Sequence, residues 1–239
     1  MEKGTFRKVL VIVPCFNEAE SVASLYTELA AIGVPGCSVT PLFINDASTD
    51  STLRVLRTLG ASYLDNSVNL GIGGTVQLGF MYALQNGFDI AVQVDGDGQH
   101  PPSELHKLLE PLLDNRADVV IGSRFIHNTG FRSTGLRRAG IRVFVWLNRL
   151  LTGNVINDST SGYRSYNRKA FSELVHYYPD EYPEPEALVY LANKRLRLLE
   201  VPVLMTERRG GSSSIRSLWS VYYMAKVTLN ILFLHARRQ

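Results

Sequence analysis

In DGDGQHPP, Asp95 to Pro102, two aspartates stand one residue apart behind the apolar run IAVQV. Side chains two apart on a strand point to the same face, so Asp95 and Asp97 are expected to share a face at a strand's C-terminal edge. With Gln99 they offer only oxygen, the donor set of a hard divalent cation, Mg²⁺ or Mn²⁺, rather than zinc. Magnesium takes one or two carboxylates and completes its shell with water and phosphate oxygens, so a pair this sparse implies a phosphorylated ligand. The other reading is a plain turn, since alternating Asp and Gly is also good turn chemistry.

Charge and cysteine usage narrow the setting. The formal net charge of +3 conceals an asymmetry: residues 191–239 hold nine Lys/Arg against Glu200 and Glu207. Arg124 to Arg149 adds six arginines and no acid, interleaved with Phe125, Phe131, Phe144 and Trp146. Such stretches suit nucleic acid, anionic lipid or a phosphorylated substrate, and equally a solvated helix face. Nucleic acid explains the basic stretches but not the acidic pair, so it is not the expected partner. Two cysteines, Cys15 and Cys37, are too few for a disulfide framework and point to a reducing, cytoplasmic setting. The run Val9–Val13 is too short for the core of an export signal. His100, His106, His127, His176 and His235 lack metal spacing and triad company, and are read as structural.

The elements that would position the acidic pair alternate along the first half of the chain. KVLVIVP reads as a buried strand and EAESVASLYTELAAI as a helix, with Val22, Leu25, Tyr26 and Leu29 at helical intervals. SVTPLFIND is a second strand, followed by a helix that Ser48 or Thr49 would cap. GIGGTVQLGFMYALQNG reads as a helix opened by glycines, DIAVQVD as a strand, PPSELHKLLEPLLDN as a helix begun by proline and ADVVIGS as a further strand. This alternation predicts an α/β fold, a mostly parallel sheet with helices on both faces. Ligands of such sheets bind beyond the carboxyl ends of the strands, where PCFNE, NDASTD, DGDGQH and GSRF are expected to meet. NLGIGGT has neither the dinucleotide spacing nor a Walker lysine.

Together VIVPCFNEAESV, NDASTDST, NLGIGG, DGDGQHPP and GSRF resemble family 2 glycosyltransferases of the GT-A fold, a Rossmann-like architecture that transfers sugars from nucleotide donors. DGDGQHPP, GSR, DSTSGYR and RRGGSSS most resemble the branch that glycosylates polyprenyl phosphates, such as dolichol-phosphate mannose synthases and bacterial undecaprenyl-phosphate glycosyltransferases. The resemblance spans most of the chain. It implies inverting, metal-dependent transfer of a sugar from a nucleotide-sugar donor to a polyprenyl phosphate; the family motifs do not fix the nucleotide, and UDP is expected over GDP. It also implies that Pro14, Asn17, Glu18, Asp46, Asn69, Gly71 and Asp95 hold the nucleotide, Asp46 accepting a base N–H or a ribose hydroxyl. Asp95, Asp97 and Gln99 would bind Mg²⁺ or Mn²⁺ on the donor diphosphate. Asn45 stands where the family usually has an aspartate.

A phosphate monoester is largely ionised near neutral pH, its second pKa being about 6, so a phosphate acceptor needs cations more than a general base. The sequence supplies them: Arg124, Arg164 and Arg208 inside the motifs that carry the resemblance, and Arg137, Arg138 and Arg142 in the basic stretch, with Ser213. Asp97, Arg124, Arg164 and Arg208 form the implied catalytic set, Arg208 with Ser213 alternatively closing over the donor diphosphate. Asp158 is expected to orient Arg164 or to approach the acceptor. A saccharide hydroxyl is the competing acceptor, with Glu186 or Glu184 of DEYPEPEALV as base. A catalytically inactive nucleotide-sugar or lipid-binding module is the reading from another class.

Leu218 to Leu234 is broadly apolar but broken by Ser220, Lys226, Thr228 and Asn230. It falls short of the roughly twenty apolar residues of a membrane span and reads as an interfacial amphipathic helix, as does Gly135 to Leu151. The expected organisation is a GT-A domain over 1–214 and a C-terminal amphipathic helix over 215–239. That helix would make the chain peripheral on the cytoplasmic face of the membrane, or dock it on a small separate membrane-protein subunit.

Overall fold

Val9 to Val13 are fully buried because both faces of their strand are covered. The strand is β1 (Arg7–Cys15), third in a seven-stranded sheet with β2 (Cys37–Asn45), β3 (Tyr63–Asp65), β4 (Ile90–Gln93), β5 (Val119–Ser123), β6 (Arg164–Asn167) and β7 (Leu198–Pro202). The computed structural model describes residues 6–126, 149, 155–179, 183–206 and 208. Within them lie helices α1 (Val22–Ala31), α2 (Thr52–Thr58), α3 (Gly71–Gln85), α4 (Leu105–Leu113), α5 (Arg168–His176) and α6 (Pro183–Asn193).

Successive β1 side chains alternate between two cores. Val9, Val11 and Val13 join Leu25 and Leu29 of α1, Leu56 of α2 and Leu108 of α4 on one face. Leu10 and Ile12 join Val76 and Phe80 of α3, Phe171 of α5 and Leu188 of α6 on the other. Two covered faces explain the unbroken apolar run. Helix α3 lies so close that a Cβ on Gly79 would fall 2.5 Å from Ile12 Cγ2.

The sheet order is β3-β2-β1-β4-β6-β5-β7, and every pairing is parallel except those of β6 with β4 and β5. The expected mostly parallel α/β sheet is therefore found, with three strands that the sequence pattern did not announce: β3, β6 and β7. Two local expectations are corrected. Strand β4 ends at Gln93, so Asp95 and Asp97 do not alternate along it but occupy the turn that follows. Helix α2 starts at Thr52 rather than beside Ser48, because Asp50 Oδ1 accepts from Thr52 N at 2.8 Å and satisfies that end.

Among the described residues no helix is long and apolar enough to cross a membrane. Arg137, Arg138, Arg142 and Ser213 lie outside the described residues, as do the amphipathic stretch from 135 to 151, save an exposed helical Arg149, and the helix expected over 215–239.

Candidate active site

The four loops expected on one rim do converge there. Asp46 N donates to Cys15 O at 2.8 Å, tying the end of β2 to the end of β1. Asn17, at φ 58°, takes the left-handed backbone that asparagine tolerates better than most residues. Its Oδ1 accepts from Thr49 N at 2.8 Å and Asp50 N at 3.2 Å, and Glu18 N donates to Thr52 Oγ1 at 2.8 Å. Ser21 Oγ donates to Gly96 O at 2.7 Å and joins these loops to the acidic turn. A fifth segment closes on that turn from the far end of the chain: Thr206 N donates to Gln99 O at 3.1 Å and Thr206 Oγ1 to Gly98 O at 2.8 Å.

The acidic turn carries more negative charge than its own donors satisfy. Asp97 is buried and accepts from Gln99 N at 3.0 Å, with Arg208 Nε 3.7 Å from Oδ2. Burial, then the charge of Asp95, push the Asp97 carboxyl above the usual aspartate range. Asp95 is one-third exposed; its N–H donates to His100 Nδ1 at 3.0 Å, which leaves the proton of a neutral imidazole on Nε2, 3.7 Å from Asp95 Oδ2. The His100 ring stacks on Tyr163 at 4.8 Å. His100, read from the sequence as structural, braces the acidic turn from behind. Among the described residues no group of three or more His, Cys, Asp or Glu side chains could hold a metal. Two carboxylates beside an amide nevertheless fit a hard cation that draws its remaining ligands from water and phosphate, and such a cation would relieve their repulsion.

The arginines are more committed than expected. Arg164 is fully buried in β6, its Nε donating to Ser159–Ser161 loop carbonyl Ser161 O, Nη2 to Ser159 O and Nη1 to Glu184 O, each at 2.7 Å. That geometry differs from a phosphate ligand's: the guanidinium holds the 159–161 loop to the start of α6. Asp158 orients Arg124, not Arg164, accepting from Arg124 Nε and Nη2 at 2.7 Å and from its backbone N at 3.1 Å. Asp158 is set in turn by Glu200 of β7, whose Oε1 accepts from Asp158 N at 2.7 Å. Arg124 keeps about a fifth of its side chain exposed. Arg208 pairs with Glu18, whose carboxyl burial pushes up and Arg208 pulls back down.

Several expected nucleotide ligands are likewise engaged with protein. Asp46, expected as a ready acceptor for a base or ribose, instead caps α3: Oδ1 accepts from Leu70 N at 2.8 Å and Oδ2 from Gly71 N at 3.0 Å. Asn69 assists, its Oδ1 accepting from Gly71 N and its Nδ2 donating to Asp46 O. Pro14 lies under the acidic turn, where a Cβ on Gly96 would fall 2.7 Å from Pro14 O. Asn45 donates to Asp65 Oδ1 at 2.8 Å, its register partner on β3; an aspartate at 45 would face Asp65 with like charge. The candidate bases diverge. Glu186 Oε1 accepts from the Tyr177 hydroxyl at 2.7 Å, whereas the Glu184 carboxyl is pushed up by burial and pulled back by Arg164, and feels the charge of Asp95. Both cysteines are buried thiols, pushed up chiefly by that burial.

The profile of the family described as "Glycosyl transferase family 2" matches residues 10–175. Polyprenol monophosphomannose synthase of Mycolicibacterium smegmatis is 30% identical over 219 residues, covering 87% of this chain and 81% of that protein. UDP-N-acetylglucosamine–dolichyl-phosphate N-acetylglucosaminyltransferase of Methanococcus voltae is 25% identical over 240 residues, covering 92% and 89%. Among solved structures, glucosyl-3-phosphoglycerate synthase of Mycobacterium tuberculosis, crystallised with Mn²⁺, uridine diphosphate and phosphoglyceric acid, superposes with a TM-score of 0.71. It is 18% identical over 96% of this chain and 78% of that one, a likeness of fold.

Proposed function

The chain belongs to glycosyl transferase family 2, and on that premise we propose that it is an inverting glycosyltransferase moving one sugar from a nucleotide donor to a polyprenyl phosphate. The observation that carries this reading is the Asp95–Asp97 turn with Arg208 beside Asp97 and with Arg124, aimed by a buried carboxylate, close enough to feel the charge of Asp95. One relative is named for a polyprenol monophosphomannose and the other for a dolichyl phosphate with a UDP-linked sugar, which supports a polyprenyl-phosphate acceptor and favours UDP over GDP. The Mn²⁺ and uridine diphosphate of the structural neighbour support Mg²⁺ or Mn²⁺ on Asp95, Asp97 and Gln99.

A bound ion would offset the charge of the departing nucleoside diphosphate. Arg208 adds fixed positive charge beside Asp97, and Arg124, whose Nε–Nη2 edge is held by Asp158, brings its positive charge to the acceptor phosphate. An acceptor oxygen forms its bond to the anomeric carbon as the bond from that carbon to the diphosphate breaks on the opposite face. Arg164 is a positioning residue, bracing the loop that carries Asp158. Pro14, Asn69, Gly71 and Asp95 line the nucleotide, on loops shaped by Asn17, Glu18 and Asp46. A saccharide hydroxyl acceptor is less well served, because the Glu186 carboxylate already holds the Tyr177 hydroxyl. The GT-A domain occupies 1–214, and residues 215–239 engage the cytoplasmic membrane surface or a small membrane-protein subunit.

The test pairs a thermal-shift panel of UDP- and GDP-sugars with Mn²⁺ and transfer assays on undecaprenyl phosphate and on oligosaccharides. A cognate donor at a hundred times its Kd adds roughly 2.7 kcal/mol of stability. Product on the lipid phosphate is expected, and transfer to the saccharide alone overturns the acceptor. Flotation with protein-free anionic liposomes separates direct membrane binding from docking on a subunit.

A further inference from the structure

Gln93 is an amide at the end of an otherwise apolar strand, after Ile90, Ala91 and Val92, and it is fully buried. A buried amide is costly unless paired, so its partners identify its role. Nε2 donates to Asp95 Oδ1 at 3.4 Å, and Oε1 accepts from the Tyr178 hydroxyl, also at 3.4 Å. Tyr178 is itself buried, its ring edge-on to Phe80 at 5.4 Å, and burial holds its hydroxyl well above the ordinary range, so it stays a donor. A donor on Oε1 fixes which way the amide faces and leaves Nε2 toward Asp95.

Both bonds are long, and a second contact shares the work. Gly162, two residues before Arg164, presses on the same pair. A Cβ there would fall 3.0 Å from Gln93 Nε2 and 3.2 and 3.3 Å from the two oxygens of Asp95. Register across β4 and β6 brings the segments together, since Gln93 pairs with Arg164. Asp95 is therefore gripped by an amide on Oδ1, a glycine along its flank and the His100 ring near Oδ2.

We infer that Gln93, aimed by Tyr178, is a positioning residue that sets the Asp95 carboxylate to receive the divalent cation, with Gly162 kept free of a side chain to admit that geometry. The inference rests on Asp95 being a cation ligand, as proposed above. Partners of this kind typically change metal affinity by about 10- to 100-fold when removed.

The experiment titrates Mn²⁺ into the full chain in the presence of UDP and reads free Mn²⁺ by electron paramagnetic resonance, with thermal unfolding of each metal-free variant measured in parallel. Asp97→Ala should abolish binding. Gln93→Leu and Gly162→Ala should weaken it about tenfold, and Tyr178→Phe about threefold, in chains that still unfold cooperatively. Should Gln93→Leu fail to fold, Gly162→Ala and Tyr178→Phe decide, because both retain the amide. Mn²⁺ affinity within twofold of wild type in the folded variants, with Asp97→Ala inactive for binding, makes Gln93 a packing residue and leaves the cation site standing. Wild-type affinity in Asp97→Ala overturns the cation site and this inference together.

Discussion

The two ends of the sheet hold their buried aspartates in opposite ways. At the N-terminal edge Asp118, just before β5, accepts from Arg197 N at 2.8 Å, from Arg197 Nε and Nη2 at 3.0 Å and from Asn167 Nδ2 at 2.9 Å. Burial acts to raise its pKa, but these bonds outweigh it and draw it down to about 2. At the C-terminal rim Asp97 accepts from the Gln99 N–H with Arg208 at 3.7 Å, and burial and Asp95 push its carboxyl up. A carboxylate surrounded by donors is finished structure. One buried against another negative charge is prepared for a ligand that brings positive charge.

Exchanging the roles in experiment should separate function from stability. Asp97→Ala should lower turnover by about 10²–10³-fold with the fold intact, whereas Asp118→Ala should leave turnover per folded molecule within about threefold. Near-normal transfer by Asp97→Ala would break the comparison. Next in size, Asp118→Ala should cost about 1–2 kcal/mol in urea unfolding, discounted because Arg197 is 48% exposed and its charge is screened by water.

The pH dependences carry opposite signs. The depressed Asp118 contributes stability above the usual aspartate pKa of about 3.9 and loses it as pH falls through about 2. The raised Asp97 favours the folded, metal-free chain below the usual range, and that contribution is lost as pH climbs through its elevated pKa. Metal-free Asp97→Asn should therefore be more stable than wild type at pH 7, with the gap closing on acidification, as read by thermal unfolding across pH. Added Mn²⁺ and UDP should reverse the order. The smallest effect concerns Glu186→Gln, which should keep transfer to lipid phosphate within about threefold; a loss of several orders would restore a general base.

Much of this arrangement was legible in the sequence. Alternating strands and helices placed four loops at one rim, and the oxygen-only pair pointed to a cation. The partners were harder to read, because they lie far apart in the chain. Asp46 caps a helix that begins 25 residues later, and Asp158 reaches Arg124 across 34. Strand β6 has the sequence RSYN, with no apolar run, and an arginine there reads as a surface charge until its three backbone acceptors are seen. Gln93 did leave a signal: one amide inside an apolar strand.

Thr206 buckles the chain to the acidic turn through Gly98 O and Gln99 O, two residues before Arg208. Both acceptors lie within two residues of Asp97, on the stretch that follows it. The turn that bears both carboxylates is thus pinned by a residue 108 positions further along the chain, so Thr206→Val should loosen the turn and the neighbouring Arg208 together.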